Sequence, residues 1–530
     1  MAKLRSGFTH PPAVSSSVQP QAGRMGICPA MSARSVTVVL GLVTIFIGLF
    51  ASRPLWHTDL WDHVNYGRFI LQSGVPETEP LLELTENTPF VSTAWLSQVG
   101  MATLAGTPAL GLPGLQFIHG LLVVIGCTGV GLIVFRRSCS AIFSVIAYCI
   151  FVAVNWQQLI VIRPQLVGVA CYCLTFAALH TGLANQRMGK IWLGFLFLFW
   201  ANCHGSFAMG LVLIALTTAG QFFDAAIRAR NIFASLRTRR WTATALVMVV
   251  CVSVVTINPF GIRIYAEVLR VGRHPNIATM YEWDPMTLQM KQGQAMAVAT
   301  IVLIALMAWT PRRLRLQEIL PLLVTGGLAI WSARMVNWYA PLAAGSIGIH
   351  GAAVYHRFSH RSAAENPPRR KLWTAVNGGL LIAAFVCSSL GIQTFFGNSE
   401  NPETFLSPQT PVDVTQFLAT ADDLPPGLTL APAEWAGYMM HHAGDRVKPF
   451  ANLHVHVIPP HIWQEYIKLI IGTAGWNERL QLYDINTVIV DKLRYPLLAK
   501  LAIRNGTYDC VFDDQQASVF VRRPATTPDR

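Results

Sequence analysis

Charge is what this sequence has least of. Only 13% of its 530 residues are Asp, Glu, Lys or Arg, and 52% are hydrophobic. Soluble domains carry about a quarter charged residues, so an ordinary soluble enzyme is excluded. Acids are scarcer than bases, 27 against 40, for a formal charge of +13. A nucleic-acid surface gathers such an excess on one face or along one stripe. Here the arginines fall in short clusters between apolar runs, the way membrane orientation is written, and no nucleic-acid partner is expected. The ten cysteines lie nearly all inside apolar segments and lack ligand spacing. Cys171 and Cys173 read as small core residues, and no disulfide framework is legible. A glycine-rich phosphate loop, a nucleophile elbow and a Cys-x-x-Cys pair are all missing, and with them the chemistries those motifs carry.

What is present is a series of apolar runs from Val36 to Phe396, many long enough to cross a bilayer. Residues 1–34, rich in Ser, Pro and Gly with Lys3, Arg5, Arg24 and Arg34, read as a disordered basic tail, with Met25 and Met31 as alternative starts. Residues 35–396 read as a multi-span membrane domain and 397–530 as an external soluble α/β domain. Arginine clusters at Arg136–Arg137, Arg228–Arg240, Arg312–Arg315 and Arg357–Lys371 mark inner loops under the positive-inside rule. That places the N-terminus in the cytoplasm and the C-terminal domain outside, in the periplasm, with about eleven spans. The run Ile191–Phe223 is too long for one crossing at roughly 1.5 Å per residue through a ~30 Å core. It is bracketed by positive charge on both sides, so two crossings with a turn at Asn202–Gly205 are expected. Thr93–Leu112 is only moderately apolar and reads as a helix at the outer surface.

The densest chemistry follows the first apolar run. Trp56 to Arg68, WHTDLWDHVNYGR, holds two carboxylates (Asp59, Asp62), two histidines (His57, His63), two tryptophans and an arginine. Tryptophans alone would be interface anchors. Ionisable residues where a chain leaves the membrane are costly unless they serve a site. If the stretch is helical, Asp62 and His63 share a face with Asp59. Other polar clusters near span ends fall on the same outer side: Arg163 with Gln165, Asn202 with His204, Asn258 with Arg263, Glu282 with Asp284, and Arg334. The loop 259–293 is basic although external, and an anionic ligand is the plainest reason. Arginine's planar fork suits phosphate. The expected division of labour is Asp59, Asp62 and His63 for catalysis, with Arg163, Arg263 and Arg334 for a donor phosphate. Gln165, Asn202, His204, Asn258, Glu282 and Asp284 would contact substrate. A carboxylate base beside a clamped phosphate is the minimal kit for displacing phosphate from an activated sugar. Asp59 and Asp62 also offer oxygen ligands to Mg or Mn, on an Asp-x-x-Asp spacing of low specificity.

In order along the chain, DLWDH, YGRFI, Trp95-Leu96, IRPQL, FWANCHGSF, INPFG, EWDP and the closing soluble domain resemble a family of bacterial multi-pass proteins. That family is related to GT-C-type glycosyltransferases, the polyprenyl-phosphate-sugar-dependent membrane enzymes. The resemblance runs from about Ser52 to near the end of the chain. It implies a GT-C-like α-helical polytopic fold and sugar transfer from a polyprenyl-phosphate-linked donor at the outer membrane face. The acceptor it leaves open is a glycan, lipid or protein. It implies too that an acid in the first outer loop is the base, a place that Asp59 matches. Asp62 stands where the family usually has a neutral residue, and the loop has no adjacent Asp-x-Asp. The rival is a non-catalytic lipid-linked glycan transporter or an envelope assembly scaffold. Transporters often show internal repeats, and none is visible here.

In the tail, Leu428–Ala431 and Thr487–Asp491 read as strands, and Ala433–His442, His461–Ile471 and Tyr495–Ile503 as helices. Tyr508–Phe512 with Ser518–Arg522 reads as a terminal hairpin. His441, His442, His454, His456 and His461 invite a zinc reading, but no cysteine accompanies them. Glu434-Trp435 followed by Gly437-Tyr438 reads as domain packing.

Overall fold

A computed structural model describes residues 33–236, 238–359, 370–386, 388, 391, 402–422 and 424–523. The basic N-terminal segment, and the last apolar run beyond Val386, lie outside the described residues almost entirely. Among the described residues, fifteen helices build the first three quarters of the chain. They are α1 (Ala33–Ala51), α2 (Asp59–Ser73), α3 (Trp95–Gly106), α4 (Gly111–Ser138) and α5 (Ala141–Leu159). Next come α6 (Gln165–Thr181), α7 (Arg187–Cys203), α8 (Phe207–Ala229), the one-turn α9 (Ile232–Ser235) and α10 (Arg239–Val255). The series ends with α11 (Arg263–Gly272), α12 (Lys291–Trp309), α13 (Leu316–Trp331), α14 (Val336–Phe358) and α15 (Arg370–Val386). Of these, α4, α5, α8 and α12 are long and apolar enough to cross a membrane by length and composition. The shorter apolar helices are Val36–Ala51, Gln165–Thr181, Arg240–Val255 and Leu316–Trp331.

The long run after Arg187 does break in two. α7 ends at Cys203, the chain extends through His204, and α8 begins at Phe207. At 17 residues, α7 is roughly 25 Å long. Thr93–Leu112 divides into α3 and the start of α4 rather than forming one surface helix. Cys139, at the end of α4, is disulfide-bonded, a pairing the spacing did not show.

Helices α4, α5, α6, α8 and α14 surround one apolar core, with Phe50, Phe151, Tyr172, Phe197, Trp200 and Phe207 all but inaccessible. Large apolar side chains point outward along the flanks: Phe195 and Phe199 on α7, Leu246 and Val249 on α10, Val298, Ile301 and Ile304 on α12. An exposed apolar girdle of this kind needs lipid, not water, around it. The molecule is an α-helical polytopic membrane protein.

A small α/β domain closes the chain. Strands β1 (Leu428–Leu430), β2 (Ile485–Asp491), β3 (Tyr508–Asp513) and β4 (Ala517–Arg522) form one sheet in the order β1-β2-β4-β3. β1 runs parallel to β2, and β3–β4 is the expected antiparallel hairpin. Helices cover it at Val412–Thr420, Ala433–Ala443, Pro460–Ile470, Trp476–Leu482 and Pro496–Asn505. The first and fourth of these were not legible in the sequence. The domain is stitched to the start of the chain. Leu55 N donates to Phe405 O at 2.7 Å, and Ser407 N donates to Leu55 O at 2.8 Å.

Candidate active site at the α2 end of the bundle

α2 is the element on which the site is built. Asp59 and Asp62 occupy its first turn, where a carboxylate is favoured by the helix dipole. Gly74, at φ 84°, ends it. One face packs on α3 at very close range: a Cβ on Gly67 would stand 2.0 Å from the Gln98 carbonyl oxygen. The opposite face meets the tail domain, where Asn65 Nδ2 donates to Gly437 O at 2.9 Å and its Oδ1 lies 3.0 Å from His441 Nδ1. α2 is therefore clamped between bundle and tail domain.

Although both acids lie in the same helical turn, they face different partners. Asp59 is partly exposed, and its Oδ2 lies 3.5 Å from Arg163 Nε. Asp62 is buried against the tail domain, its Oδ2 accepting from Leu453 N at 3.2 Å. Its Oδ1 has no partner among the described residues. Burial, reinforced by the Asp59 charge, raises the Asp62 pKa well above the ordinary carboxylate value. Asp59 is thus the more accessible of the two carboxyls, and Asp62 fastens the tail domain.

Arg163, buried just before α6, has its fork on Glu282: Nη1 to Oε2 and Nη2 to Oε1, both at 2.7 Å. Arg334, in the turn between α13 and α14, reaches the same Oε2 at 3.0 Å. Trp283 lies under the Arg334 guanidinium at 5.4 Å. Backbone bonds from Ala333 N to Asp284 O (2.9 Å) and Met286 N to Ile330 O (3.0 Å) pin this loop to the end of α13. Burial works to raise the Glu282 pKa, but the charge and hydrogen bonds of Arg163, with Arg334 behind, outweigh it and hold it at about 2. Burial works the other way on Arg163, and the Asp59 and Glu282 charges more than offset it, so its pKa rises. The result is a chain of alternating charge, Asp59–Arg163–Glu282–Arg334.

Histidines line the seam beside this chain. His63 Nδ1 lies 3.3 Å from Gln98 Nε2, and its ring meets His454 edge-on at 4.8 Å. His454 in turn abuts Tyr66 at 4.6 Å and His456 at 5.7 Å. His204 Nδ1 accepts from Ser206 N at 3.0 Å. Burial first pushes both His63 and His204 down to about 3, aided by His204 and Arg163 at His63 and by Arg334 and Arg163 at His204. Burial and the His63 charge do the same to His454.

The other expected site residues divide. Gln165 is buried next to Arg163, and its Oε1 has no partner among the described residues. Asn202 has its amide engaged, accepting from Trp95 Nε1 at 2.8 Å and donating to Leu198 O and Ile257 O. Asn258 is likewise consumed in its own turn, accepting from Phe260 N at 2.7 Å and donating to Val255 O and Gly261 O. Arg263 is exposed at the start of α11 and is not in ion-pair contact with the Arg163–Glu282–Arg334 group. Asp284 is exposed, and it is engaged through its backbone, its N donating to Tyr281 O at 3.2 Å and its carbonyl accepting from Ala333 N at 2.9 Å. Glu282 is a partner of the arginines rather than a free substrate contact. Of the two acids expected to offer ligands to Mg or Mn, Asp62 faces the tail domain and Asp59 faces Arg163, and no three His, Cys, Asp or Glu among the described residues are grouped to hold a metal. The tail-domain histidines 454 and 456 are the site neighbours that sequence reasoning set aside. Their signal was visible as His-x-His, but not its destination.

No family model and no curated protein matches the sequence. Solved structures do match. The oligosaccharyltransferase of Archaeoglobus fulgidus, in the apo form, superposes with a TM-score of 0.55 at 10% identity, over 94% of this chain and 75% of that one. ArnT from Cupriavidus metallidurans, bound to undecaprenyl phosphate, superposes with a TM-score of 0.52 at 12% identity, over 93% of this chain and 98% of that one. The fold is GT-C. Both coverages include the tail domain as well as the bundle, so the GT-C likeness is one of whole-chain architecture.

Proposed function

We propose that this chain is a glycosyltransferase that takes a sugar from a polyprenyl-phosphate carrier, with Asp59 as general base, at the outer face of the membrane. The observation that carries the reading is the contact of Asp59 with Arg163, whose fork is joined through Glu282 to Arg334. A carboxylate base beside two arginines is the arrangement such a displacement needs. The GT-C fold, shared with an oligosaccharyltransferase and with a protein that binds undecaprenyl phosphate, supports it. Asp59 accepts the proton of the acceptor hydroxyl. The freed oxygen attacks the anomeric carbon, and the bond from that carbon to the phosphate oxygen breaks. Its electron pair stays on the phosphate, where Arg163 and Arg334 hold the charge. Glu282 presents both carboxylate oxygens to Arg163 and one of them to Arg334, as a phosphate would, so the donor phosphate competes with it. The acceptor is a hydroxyl-bearing glycan or lipid, or a protein.

The test is transfer of labelled sugar from a polyprenyl-phosphate donor by the purified protein and by Asp59→Asn. Full activity in the variant removes Asp59 as base. Absence of transfer by the wild type across donors, with the lipid still bound, returns the transporter or scaffold reading to the front.

A further inference from the structure

α8 carries the chain from the site to the other end of the bundle: 23 residues, or roughly 35 Å. At that end, arginines from three separate segments meet around one hollow. Arg228 comes from the end of α8, Arg240 from the start of α10, and Arg313 and Arg315 from the turn before α13. The cavity is about 80 Å³. A water occupies about 30 Å³ of liquid, so the space suits one phosphoryl group.

The two acids nearby, Asp224 and Glu318, offset only part of this charge, since four arginines line the cavity. Asp224, also in the lining, caps α13, its Oδ1 accepting from Leu316 N at 3.1 Å and its Oδ2 from Gln317 N at 3.5 Å. Glu318 is paired with Arg137 at 2.7 Å. Among the described residues, Arg228, Arg240, Arg313 and Arg315 make no ion pair. The start of α10 adds a second source of positive potential, since Thr238 makes no side-chain cap there. Burial and then the charge of Arg137 hold the Arg312 guanidinium down at about 10, and burial and Arg137 lower Arg315 too. Membrane orientation requires positive charge in a loop. It does not require side chains from three loops and helix ends to converge on one cavity, where like charges repel.

We propose that this cavity is a phosphate-binding site, separate from the Asp59 site, that takes a phosphate mono- or diester. An adjoining open hollow of about 750 Å³ shares Arg240 and is lined by Lys190, Ala243 and Leu246. A cationic rim above an apolar wall suits a lipid headgroup and the top of its acyl chain, and that favours a lipid over a soluble phosphate as the source.

The full chain in nanodiscs and in detergent provides the test. Retention of phosphatidic acid against phosphatidylcholine is read by native mass spectrometry, and thermal stabilisation by inorganic phosphate against chloride at equal ionic strength. The wild type is expected to retain phosphatidic acid preferentially. Arg240→Gln combined with Arg315→Gln should lower that retention at least about tenfold, the cost of a lost charge-assisted hydrogen bond. Arg313→Gln, expected to fold in any case, should lower it less. Retention of phosphatidic acid without an effect of inorganic phosphate identifies a lipid site. A phosphate effect without lipid retention identifies a soluble ligand at the same site. If neither is preferred over its control, or if all the variants match the wild type, the arginines serve orientation alone and the site does not exist.

Discussion

Gly437 lies so close to Asp62 that a Cβ on it would stand 2.6 Å from Oδ1 and 2.7 Å from the Asp62 backbone nitrogen. The helix of the tail domain that bears Gly437 rests directly on the backbone of α2. Gly437→Ala therefore overpacks the seam, with an expected loss of about 1–3 kcal/mol. Thermal unfolding of the variant in detergent measures it. Protease nicking of the tail domain should rise in step, and an unchanged melting temperature would show that the seam gives way freely.

Asp59 and Asp62 are predicted to separate by function. Asp59→Asn should lower sugar transfer by about 10²–10⁴-fold, the usual cost of losing a general base. Asp62→Asn should leave the rate near wild type, because its carboxyl faces Leu453 rather than the arginines.

Asp62→Asn should instead change stability. The Asp62 pKa is raised by burial and then by Asp59. Such a group binds its proton more tightly folded than unfolded, so its contribution is full below the unfolded value of 3.8 and is lost as pH rises through the folded one. The variant should match or exceed wild-type stability at pH 8, with the difference shrinking towards pH 4. Melting curves at the two ends of that range check the sign.

The histidine seam predicts the opposite slope. His63, His204, His454 and His441 are each lowered to about 3, first by burial. Their contribution is complete above the ordinary value of 6.5 and drains away as pH falls towards 3, because the unfolded chain takes up protons that the folded chain refuses. The melting temperature should fall between pH 7.5 and 5, and less steeply in His454→Gln. A flat profile would contradict the buried, neutral state of these rings.

Glu282 and the arginines can be separated by ligand binding. Arg163→Gln and Arg334→Gln should weaken binding of undecaprenyl phosphate, whereas Arg263→Gln, exposed and away from Glu282, should not. Glu282→Gln should strengthen it about tenfold, since one charge-assisted competitor is withdrawn. Weaker binding in Glu282→Gln would mean that the carboxylate helps to hold the lipid instead of competing with it.

The bundle was legible because its signals are local. Apolar length gave the helices, and the split after Arg187 followed from a run too long for one span. Tail strands such as Ile485–Asp491 were found to within two residues, because a short, β-branched apolar run between turn residues reads as a buried strand. The site was legible in composition but not in pairing. Nothing along the chain says that Glu282 belongs to Arg163, 119 positions away, or that His454 lies against His63. Asn202 and Asn258 misled for a related reason: an amide near a helix end satisfies backbone as readily as substrate. Asp62 and Asp59 look equivalent in sequence, and only the tail domain distinguishes them.

The bridge between Leu55 and Leu406 ties the approach to α2 to the start of the tail domain. Asp59, four residues beyond Leu55, is carried by a helix that α3 holds on one face and the tail domain on the other. A shift of the tail domain would therefore work on the 3.5 Å contact between Asp59 and Arg163 through α2, against the grip of α3.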